Sequence, residues 1–327
     1  MSHRKDTEYL SVSAWIKAIE NRLLTSERMD RMIEARDDEE AMKVLTECGY
    51  PEAGSLDEML AEARARTMKE VANAVPDPRL AEVFQLKYDY HNLKTILKSE
   101  AVGAEPERLM MPGGRFDPQL LLETVRRDDL AGCPDVFKGA VAEARQILAQ
   151  EHDPQRADIV LDRACYAEMQ TLADELDSDF LRGYVRMLMN MANLRAAVRV
   201  SRMGRDSSFL QQVLLPGGSV SEHMLLSLRG EALGEAFRAG PLAEAAEAGG
   251  KLSQPGDAPL TAFEKACDDA VTEYLSSARR VPFGEETVIG YLYAKEQELT
   301  AIRAIFAGRA AGLDGDTIRQ RLRKTYV

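Results

Sequence analysis

A long internal repeat constrains the fold of this chain more than any other feature of its sequence. An amphipathic helix predicted over residues 86–98 returns 101 positions later, over residues 187–199. Both copies carry apolar residues at spacings of four, three and four, which form one buried stripe on an α-helix. The stripes are Leu86, Tyr90, Leu93 and Leu97 in the first copy, and Met187, Met191, Leu194 and Val198 in the second. The chain therefore contains at least two related helical units.

Matches outside the apolar stripe distinguish a repeat from two unrelated amphipathic helices. The polar positions that agree at the same shift are Asn92 with Asn193, Lys94 with Arg195, and Lys98 with Arg199. The following turn agrees too, because Met-Pro-Gly-Gly at residues 111–114 is matched by Leu-Pro-Gly-Gly at residues 215–218. Pro followed by Gly is the pattern of a type II turn. The helix, the turn and the next helix therefore repeat as one unit.

A third and shorter copy is predicted near the end of the printed sequence. Its apolar stripe is Leu299, Ile302, Ile305 and Phe306, and Arg303 takes the basic position. Ala301 stands where Asn is expected. A segment at residues 161–165 also recurs at residues 263–267, which ties the second and third copies together. A period of roughly 100 residues is too long for a solenoid, whose repeats span about 20–50 residues. Each copy is thus predicted to be a small helical subdomain.

Length and composition favour an all-α fold of three similar helical subdomains. A chain of 327 residues can form two or three domains. Helix-forming residues are abundant, and no sustained alternating run of apolar residues predicts a strand. We place the subdomains at residues 1–132, 133–248 and 249–327, with the early helices of the third able to pack with the second. Residues 249–257, rich in Gly, Ser and Pro, are the predicted linker.

Several helix starts are predicted at side chains that can accept hydrogen bonds from the free N–H groups of a first helical turn. Three of these residues precede a proline, which suits the first helical position. The predicted capping residues are Thr25, Asp37, Ser55, Asp77, Asp117, Asp153 and Ser221.

The charge of the chain argues against nucleic acid as a partner. Its net charge is −12 and its pI is about 5.0, whereas nucleic-acid-binding proteins normally present a basic face to the phosphates. No apolar run of about 18 residues predicts a membrane span, and the opening at residues 2–6 is too polar for a signal peptide. These features predict a cytosolic, protein-binding chain that reaches a membrane only through a partner.

No motif in the sequence predicts catalysis, a cofactor or a metal. The Pro-Gly-Gly turns lack the defined positions of a P-loop, and so do residues 249–251. The acidic pairs at residues 37–38, 128–129 and 268–269 lack the spacing of a magnesium site and are predicted to be solvated helix ends. The histidines are isolated; they are His3, His91, His152 and His223. The scattered cysteines are predicted to be buried and reduced; they are Cys48, Cys133, Cys165 and Cys267. We therefore predict no catalytic, cofactor-binding or metal-binding residues.

Asn92 and Asn193 are unusual because Asn inside a helix costs about 0.5 kcal/mol relative to Ala. One explanation is that each amide hydrogen-bonds a neighbouring turn and fixes how the helices pack. The other is that each amide contacts a partner. The repeated basic residues likewise form either a solvated face or a contact with an acidic partner; they are Lys94, Lys98, Arg195, Arg199 and Arg303.

Several of these segments together resemble a known family. The matching segments are Tyr-Asp-Tyr-His-Asn-Leu-Lys at residues 88–94, Asn-Leu-Arg at 193–195, Leu-Pro-Gly-Gly at 215–218, and above all residues 290–303 and 321–327. They resemble the C subunit of the V-type and A-type ATPases, whose counterpart in the vacuolar ATPase is the d subunit, and the similarity runs from Tyr9 to Val327. Ala301 departs from the family pattern, because the third unit usually carries Asn there.

The resemblance implies a funnel with pseudo-threefold symmetry, seated on the cytosolic face of a membrane rotor ring. It further implies that the funnel receives the tip of the central axle, so that ATP hydrolysis or synthesis is coupled to transport of protons or sodium. Members of this family have no catalytic residues of their own. The expected partners are therefore the central axle subunits and the rotor ring, with no cofactor.

Two alternatives remain open on the residues alone. A cytosolic all-helical adaptor or scaffold unrelated to a rotary ATPase fits the composition equally well, and neighbouring genes or pull-down of an axle protein would separate the two. An all-helical metal-dependent enzyme would need a deep pocket ringed by carboxylates.

Overall fold

The computed structural model describes residues 6–254 and 258–327. In chain order its α-helices are α1 (Leu10–Ile19), α2 (Ser26–Ile33), α3 (Asp38–Glu47), α4 (Leu56–Ala74), α5 (Arg79–Val102), α6 (Pro118–Arg126), α7 (Asp135–Gln150), α8 (Pro154–Glu175), α9 (Asp179–Arg202), α10 (Ser207–Val213), α11 (Glu222–Ser227), α12 (Glu231–Ala236), α13 (Ala243–Leu252), α14 (Thr261–Ser276), α15 (Glu285–Ala310) and α16 (Gly315–Arg321). Short 3-10 helices lie at Asp6–Tyr9, Glu20–Arg22, Glu107–Leu109 and Ser277–Arg280. Neither described range contains a strand, so the predicted all-α class is confirmed.

The described chain forms two compact units. One comprises residues 64–185, and the other comprises the described residues before 64 together with those from 186 onward. The boundaries fall within α4 and α9. The division into three subdomains at residues 1–132, 133–248 and 249–327 remains a prediction.

Helix α5 is the central element of the first unit and packs against α6, α7 and α8. The predicted stripe of the first copy is buried, since Leu86, Tyr90, Leu93 and Leu97 are each at most 1% exposed. The Tyr90 ring meets Phe137 of α7 edge to face, with ring centroids 5.5 Å apart. Buried residues lie on several sides of α5, as expected for a helix surrounded by neighbours.

The second copy lies in the other unit, where basic side chains of α9 form ion pairs with α14. Met187, Leu194 and Val198 are buried, which confirms the predicted stripe at three of its four positions. Met191 is partly exposed, so the prediction is wrong at that residue.

The third copy pairs α15 with helices from the early part of the sequence. The buried side chains of this core, contributed by α2, α3, α4, α15 and α16, include Met32, Leu45, Met59, Leu60, Leu299, Ile302, Ile305 and Ile318. The predicted stripe is therefore buried at three positions, with Phe306 partly buried against the same core. Arg303 of α15 hydrogen-bonds Asp57 of α4 across 246 positions of sequence. The third copy is thus assembled from two distant segments.

The predicted capping residues all accept a hydrogen bond from a backbone N–H two or three positions later. They are Thr25, Asp37, Ser55, Asp77, Asp117, Asp153 and Ser221. These seven helix starts are therefore favoured by local sequence, because each cap satisfies a donor that the helix leaves free.

The predicted linker is wrong over residues 249–252, which form the last turn of α13. Close packing explains the two glycines there. A β-carbon on Gly249 would lie 2.7 Å from the Phe263 ring, and one on Gly250 would lie 2.4 Å from the carbonyl oxygen of Gly230. Residues 255–257 of the predicted linker and residues 2–5 of the polar opening lie outside the described residues.

Candidate functional site

Asn92 and Asn193 each hold a turn against their helix. Asn92 donates from Nδ2 to the carbonyl oxygen of Met111 at 2.9 Å and accepts at Oδ1 from the Met111 N–H at 2.8 Å. Asn193 makes the same two hydrogen bonds with Leu215, at 2.8 and 2.7 Å. Both amides are buried. We call this arrangement the turn clamp, and it confirms that these amides hydrogen-bond a neighbouring turn.

The clamped turns require glycine at two successive positions. Gly113 and Gly217 have φ of +108° and +98°, which the third residue of a type II turn requires. The next glycine lies directly on the helix. A β-carbon on Gly114 would lie 2.1 Å from Asp89 Oδ1, and one on Gly218 would lie 2.8 Å from Asn190 Oδ1. Glycine therefore allows the turn to approach the helix closely.

A second polar residue completes the clamp in each copy. The Asp89 carboxylate accepts from the backbone N–H of Phe116 at 3.3 Å, and Asn190 Oδ1 accepts from the N–H of Ser219 at 2.7 Å. Sequence reasoning missed both residues. The available signal was their position three residues before the repeated Asn, which places them on the same helical face.

The repeated basic residues form ion pairs within the chain. In the first unit Lys94 pairs with Asp162 of α8 at 2.5 Å. In the other unit Arg195 pairs with Glu264 of α14 at 2.6 Å. The remaining pairs are Lys98 with Asp158, Arg199 with Glu264, and Arg303 with Asp57. The prediction of a solvated face is therefore wrong for Lys94 and Arg195, whose side chains are 21% and 19% exposed.

In each copy the repeated basic residue forms its ion pair with an acidic residue on a second helix. Asp162 and Glu264 occupy the second position of the recurring segments at residues 161–165 and 263–267. Asp57 holds the corresponding place in Leu56-Asp57 at the start of α4. The helix pairs α5 with α8, α9 with α14, and α15 with α4 are therefore joined through the same two positions.

The first copy also contains a buried ionic cluster. Arg115 lies between Asp89, 2.7 Å from Nε, and Glu168, 2.5 Å from Nη1, and the Tyr90 hydroxyl donates to Glu168 at 2.9 Å. Burial opposes charge on Arg115, yet its hydrogen bonds to Glu168 and Asp89 raise its pKa. Burial also raises the pKa of Asp89, and the Arg115 hydrogen bond only partly offsets that rise. The second copy has the neutral residue Asn190 in place of Asp89.

In the third copy a carboxylate takes the place of Asp89 and Asn190. Glu298 accepts from the Leu24 N–H at 2.5 Å, and also from the Tyr50 hydroxyl and the Lys295 ammonium group. Burial and the adjacent Glu298 carboxylate raise the pKa of Tyr50, so its hydroxyl remains a donor at neutral pH. These contacts fasten α15 to the segment between α1 and α4.

Arg309 makes a second attachment of α15 to the early helices. Its Nη1 donates to the carbonyl oxygens of Met32, Ile33 and Ala35, which lie at the C-terminal end of α2. Its Nε pairs with Asp38 at 3.0 Å. A guanidinium suits this place because the last carbonyls of a helix lack partners within the helix and carry partial negative charge.

The three acidic pairs differ in position. Asp37 caps α3, and residues 128–129 follow α6, so both lie at helix ends as predicted. Asp268 and Asp269 instead lie in the middle of α14, where the prediction of a helix end is wrong. Asp268 pairs with Arg195 and Arg323. The carboxylates of Asp268 and Asp269 attach the segment after α16 to α14, through Arg323 and the Lys324 N–H.

The described residues also bear on the predictions about metals, cysteines and membrane spans. No group of three or more His, Cys, Asp or Glu among residues 6–254 and 258–327 could hold a metal ion. The four cysteines are buried, and burial raises the pKa of Cys267 to about 12, so its thiol is protonated at neutral pH. None of the helices in these ranges is long and apolar enough to cross a bilayer.

Comparison with known proteins accounts for nearly all of this chain. The family model described as "ATP synthase (C/AC39) subunit" matches residues 12–321. The C subunit of the V-type sodium ATPase of Enterococcus hirae is 20% identical over 326 residues, which cover 98% of this chain and 99% of that protein. The C subunit of the A-type ATP synthase of Methanocaldococcus jannaschii is 25% identical, with 96% and 86% covered. That of Haloferax volcanii is 27% identical, with 72% and 71% covered.

The matched range includes both turn clamps, the buried ionic cluster and all of α15. The alternative of an adaptor unrelated to a rotary ATPase is therefore wrong, because the family model and the relatives are those of ATP synthase and V-type ATPase subunits. The chain belongs to the ATP synthase (C/AC39) subunit family, which comprises the C subunits of the V-type and A-type ATPases.

Proposed function

We propose that this protein is a non-catalytic central-stalk subunit of a rotary V/A-type ATPase. It is seated on the membrane rotor ring and couples that ring to the central axle, so that ATP hydrolysis or synthesis is linked to transport of protons or sodium. The proposal is supported by relatives named as C subunits of a V-type sodium ATPase and of A-type ATP synthases. Its site of action is the cytosolic face of the membrane, reached through the ring.

The observation that carries this proposal is the turn clamp, built twice from the same residue types. A part that transmits torque must resist sliding of one helix past another. A slip of one helical turn is about 5.4 Å, which would break hydrogen bonds of 2.7 to 2.9 Å at Asn92 and Asn193. Buried hydrogen bonds are strong because the surrounding dielectric is low, and leaving their partners unpaired is costly. Each clamp therefore fixes its helix and turn as one rigid piece.

Three similar subdomains arranged as a funnel around one axis form part of the same proposal. The third copy supports it through its own accompanying helix α4 and its own ion pair, Arg303 with Asp57. A glycine with positive φ also ends the helix in all three copies, with φ of +68° at Gly103, +63° at Gly204 and +68° at Gly312. Repetition at this level of detail is what one building block present three times would show.

Reconstitution tests the proposal. The purified protein is mixed with purified axle subunits and with the detergent-solubilised rotor ring, and complexes are measured by size-exclusion chromatography. We expect this chain to bind both and to bridge them in one complex. A double variant, Asn92→Ala with Asn193→Ala, is expected to leave binding largely intact while lowering the ratio of ions transported to ATP hydrolysed. Arg238→Ala, at a side chain 79% exposed, is the matched control.

Two results would contradict the proposal. One is failure of the folded wild-type protein to bind either the axle or the ring. The other is full coupling in a complex from which this chain has been omitted.

A further inference from the structure

The segment after α16 occupies, in the third copy, the place of the clamped turn. The repeated basic residue of the third copy, Arg303, lies 108 positions after that of the second copy, Arg195. The same shift places Arg323 at the position that corresponds to Leu215. Leu215 is held by Asn193 in the second copy. The third copy has Ala301 at the Asn position, so Arg323 lacks this clamp. We call residues Leu322–Val327 the strap.

Two cavities flank the strap. One of about 230 Å³ is lined by Ala301 and Ala304 of α15 and by the strap. The other, of about 440 Å³, is lined by Lys265 of α14, by Arg319 of α16 and again by the strap. Residues 322–325 line both cavities, and of these four residues only Leu322 is packed against the core shared by α2, α3, α4, α15 and α16. Residues 323–325 therefore make fewer dispersion contacts than an ordinary core segment.

Charged contacts hold the strap instead. Arg323 pairs with Asp268 at 2.7 Å, and the Lys324 side chain pairs with Glu273 at 3.4 Å. The Lys324 backbone N–H donates to Asp269 at 2.6 Å. The Lys324 and Glu273 side chains are 53% and 73% exposed. The exposed Lys324–Glu273 pair weakens as salt is added, because mobile ions screen exposed charges, whereas the Arg323–Asp268 pair, 27% and 23% exposed, is screened less.

A second apolar contact, after that of Leu322, lies at the far end of the strap. The Tyr326 ring is only 4% exposed and fits against α15 at Gly290, where a β-carbon would lie 2.3 Å from the hydroxyl. That buried hydroxyl finds no hydrogen-bond partner among the described residues. Burying an unpaired hydroxyl is unfavourable, so the anchor is weaker than the buried area of the ring suggests.

We propose that Leu322–Val327 is a releasable strap. It is bound in a groove between α14 and α15, at the place that corresponds to the clamped turn of the second copy. Salt, or a competing cationic segment that carries an aromatic residue, releases it. Release exposes the Asp268 and Asp269 carboxylates of α14 and the α15 surface around Ala301. The groove is thus a docking site whose ligand in this structure is a segment of the same chain.

The experiment uses a spin label on Thr325→Cys, since the four native cysteines are buried. Electron paramagnetic resonance then measures the mobile fraction of the label between 20 mM and 1 M NaCl. We expect that fraction to rise at least threefold with salt. We also expect it to rise at low salt when a peptide of residues 319–327 is added. A label on Gln320→Cys of α16, at an exposed position, is the matched control, and its mobility is expected not to change with salt or peptide.

Two variants move the strap in opposite directions. Asp269→Asn is expected to raise the mobile fraction at low salt. Ala301→Asn supplies the missing amide and is expected to lower that fraction at every salt concentration. The proposal is overturned if the label is mobile already at 20 mM NaCl, if it stays immobile at 1 M NaCl with added peptide, or if Ala301→Asn leaves the salt response unchanged.

Discussion

Replacing Asn193 by alanine tests the turn clamp most directly. The substitution removes two buried hydrogen bonds to Leu215, at 2.8 and 2.7 Å. It leaves the backbone N–H and the carbonyl oxygen of Leu215 without the Asn193 side chain as their partner. A typical hydrogen bond contributes about 1 kcal/mol net, and an unsatisfied buried group costs about 1–3 kcal/mol. Alanine returns about 0.5 kcal/mol through its better helix propensity. The expected loss of stability is therefore about 2–4 kcal/mol.

Hydrogen exchange measured by mass spectrometry suits this test because it reports local opening rather than the unfolding of a two-unit protein as a whole. We expect the backbone amides of residues 214–219 to exchange about 30-fold to 1,000-fold faster, which is the expected free energy converted at about 1.4 kcal/mol per tenfold change. Amides of α7 in the other unit serve as the internal reference and should not change.

Asn193→Asp provides the matched control for shape. Its carboxylate can still accept from the Leu215 N–H but cannot donate to the Leu215 carbonyl, so we expect destabilisation at neutral pH that is partly relieved when the acid is protonated. Unchanged exchange at residues 214–219 in Asn193→Ala would refute the reasoning, because it would mean that packing alone holds the turn.

Two further predictions concern glycine packing and a buried charge. Gly218→Ala places a β-carbon 2.8 Å from Asn190 Oδ1 and should destabilise the unit by about 1–3 kcal/mol. In Gly139→Ala the new β-carbon meets no atom within 4 Å, so this variant should stabilise α7 by about 0.5–1 kcal/mol. Urea unfolding measures both changes, and equal effects of the two substitutions would contradict the close approach at Gly218. Burial raises the pKa of Asp89, so the stability of the wild type relative to Asp89→Asn should be greatest below about pH 3.9 and should fall as pH rises through the raised pKa. Urea midpoints of both proteins from pH 3 to 8 measure this difference, and a difference that grows with pH would show that the charged form is favoured instead.

Residues with strong local preferences could be assigned from the sequence. The capping residues were correct because a first helical turn needs an acceptor whatever the tertiary fold. Asn92 and Asn193 could be assigned to the turn because an amide inside a helix needs a reason, and the same turn followed at nearly the same distance in both copies.

Long-range pairing could not be assigned in the same way. The partner of Arg303 is Asp57, 246 positions away, and nothing in the local sequence of α4 distinguishes it from any other amphipathic helix. Gly249 and Gly250 were assigned to a linker because glycine is common both in flexible linkers and where two helices pack closely, and the sequence does not distinguish the two. The carboxylates of Asp268 and Asp269 looked solvated because their cationic partners lie elsewhere in the sequence.

The pairing of α4 with α15 has a consequence for how this protein is made. Ribosomes add about 5–20 residues per second, so the 246 positions between Asp57 and Arg303 correspond to roughly 12 to 50 seconds of synthesis. During that interval the side chains of Met32, Leu45 and Leu60, which share a core with residues of α15 in the finished protein, lack the part of that core that α15 contributes. Helices α2 to α4 therefore emerge from the ribosome with an incomplete apolar core, and we expect them to be prone to aggregation until α15 has been synthesised.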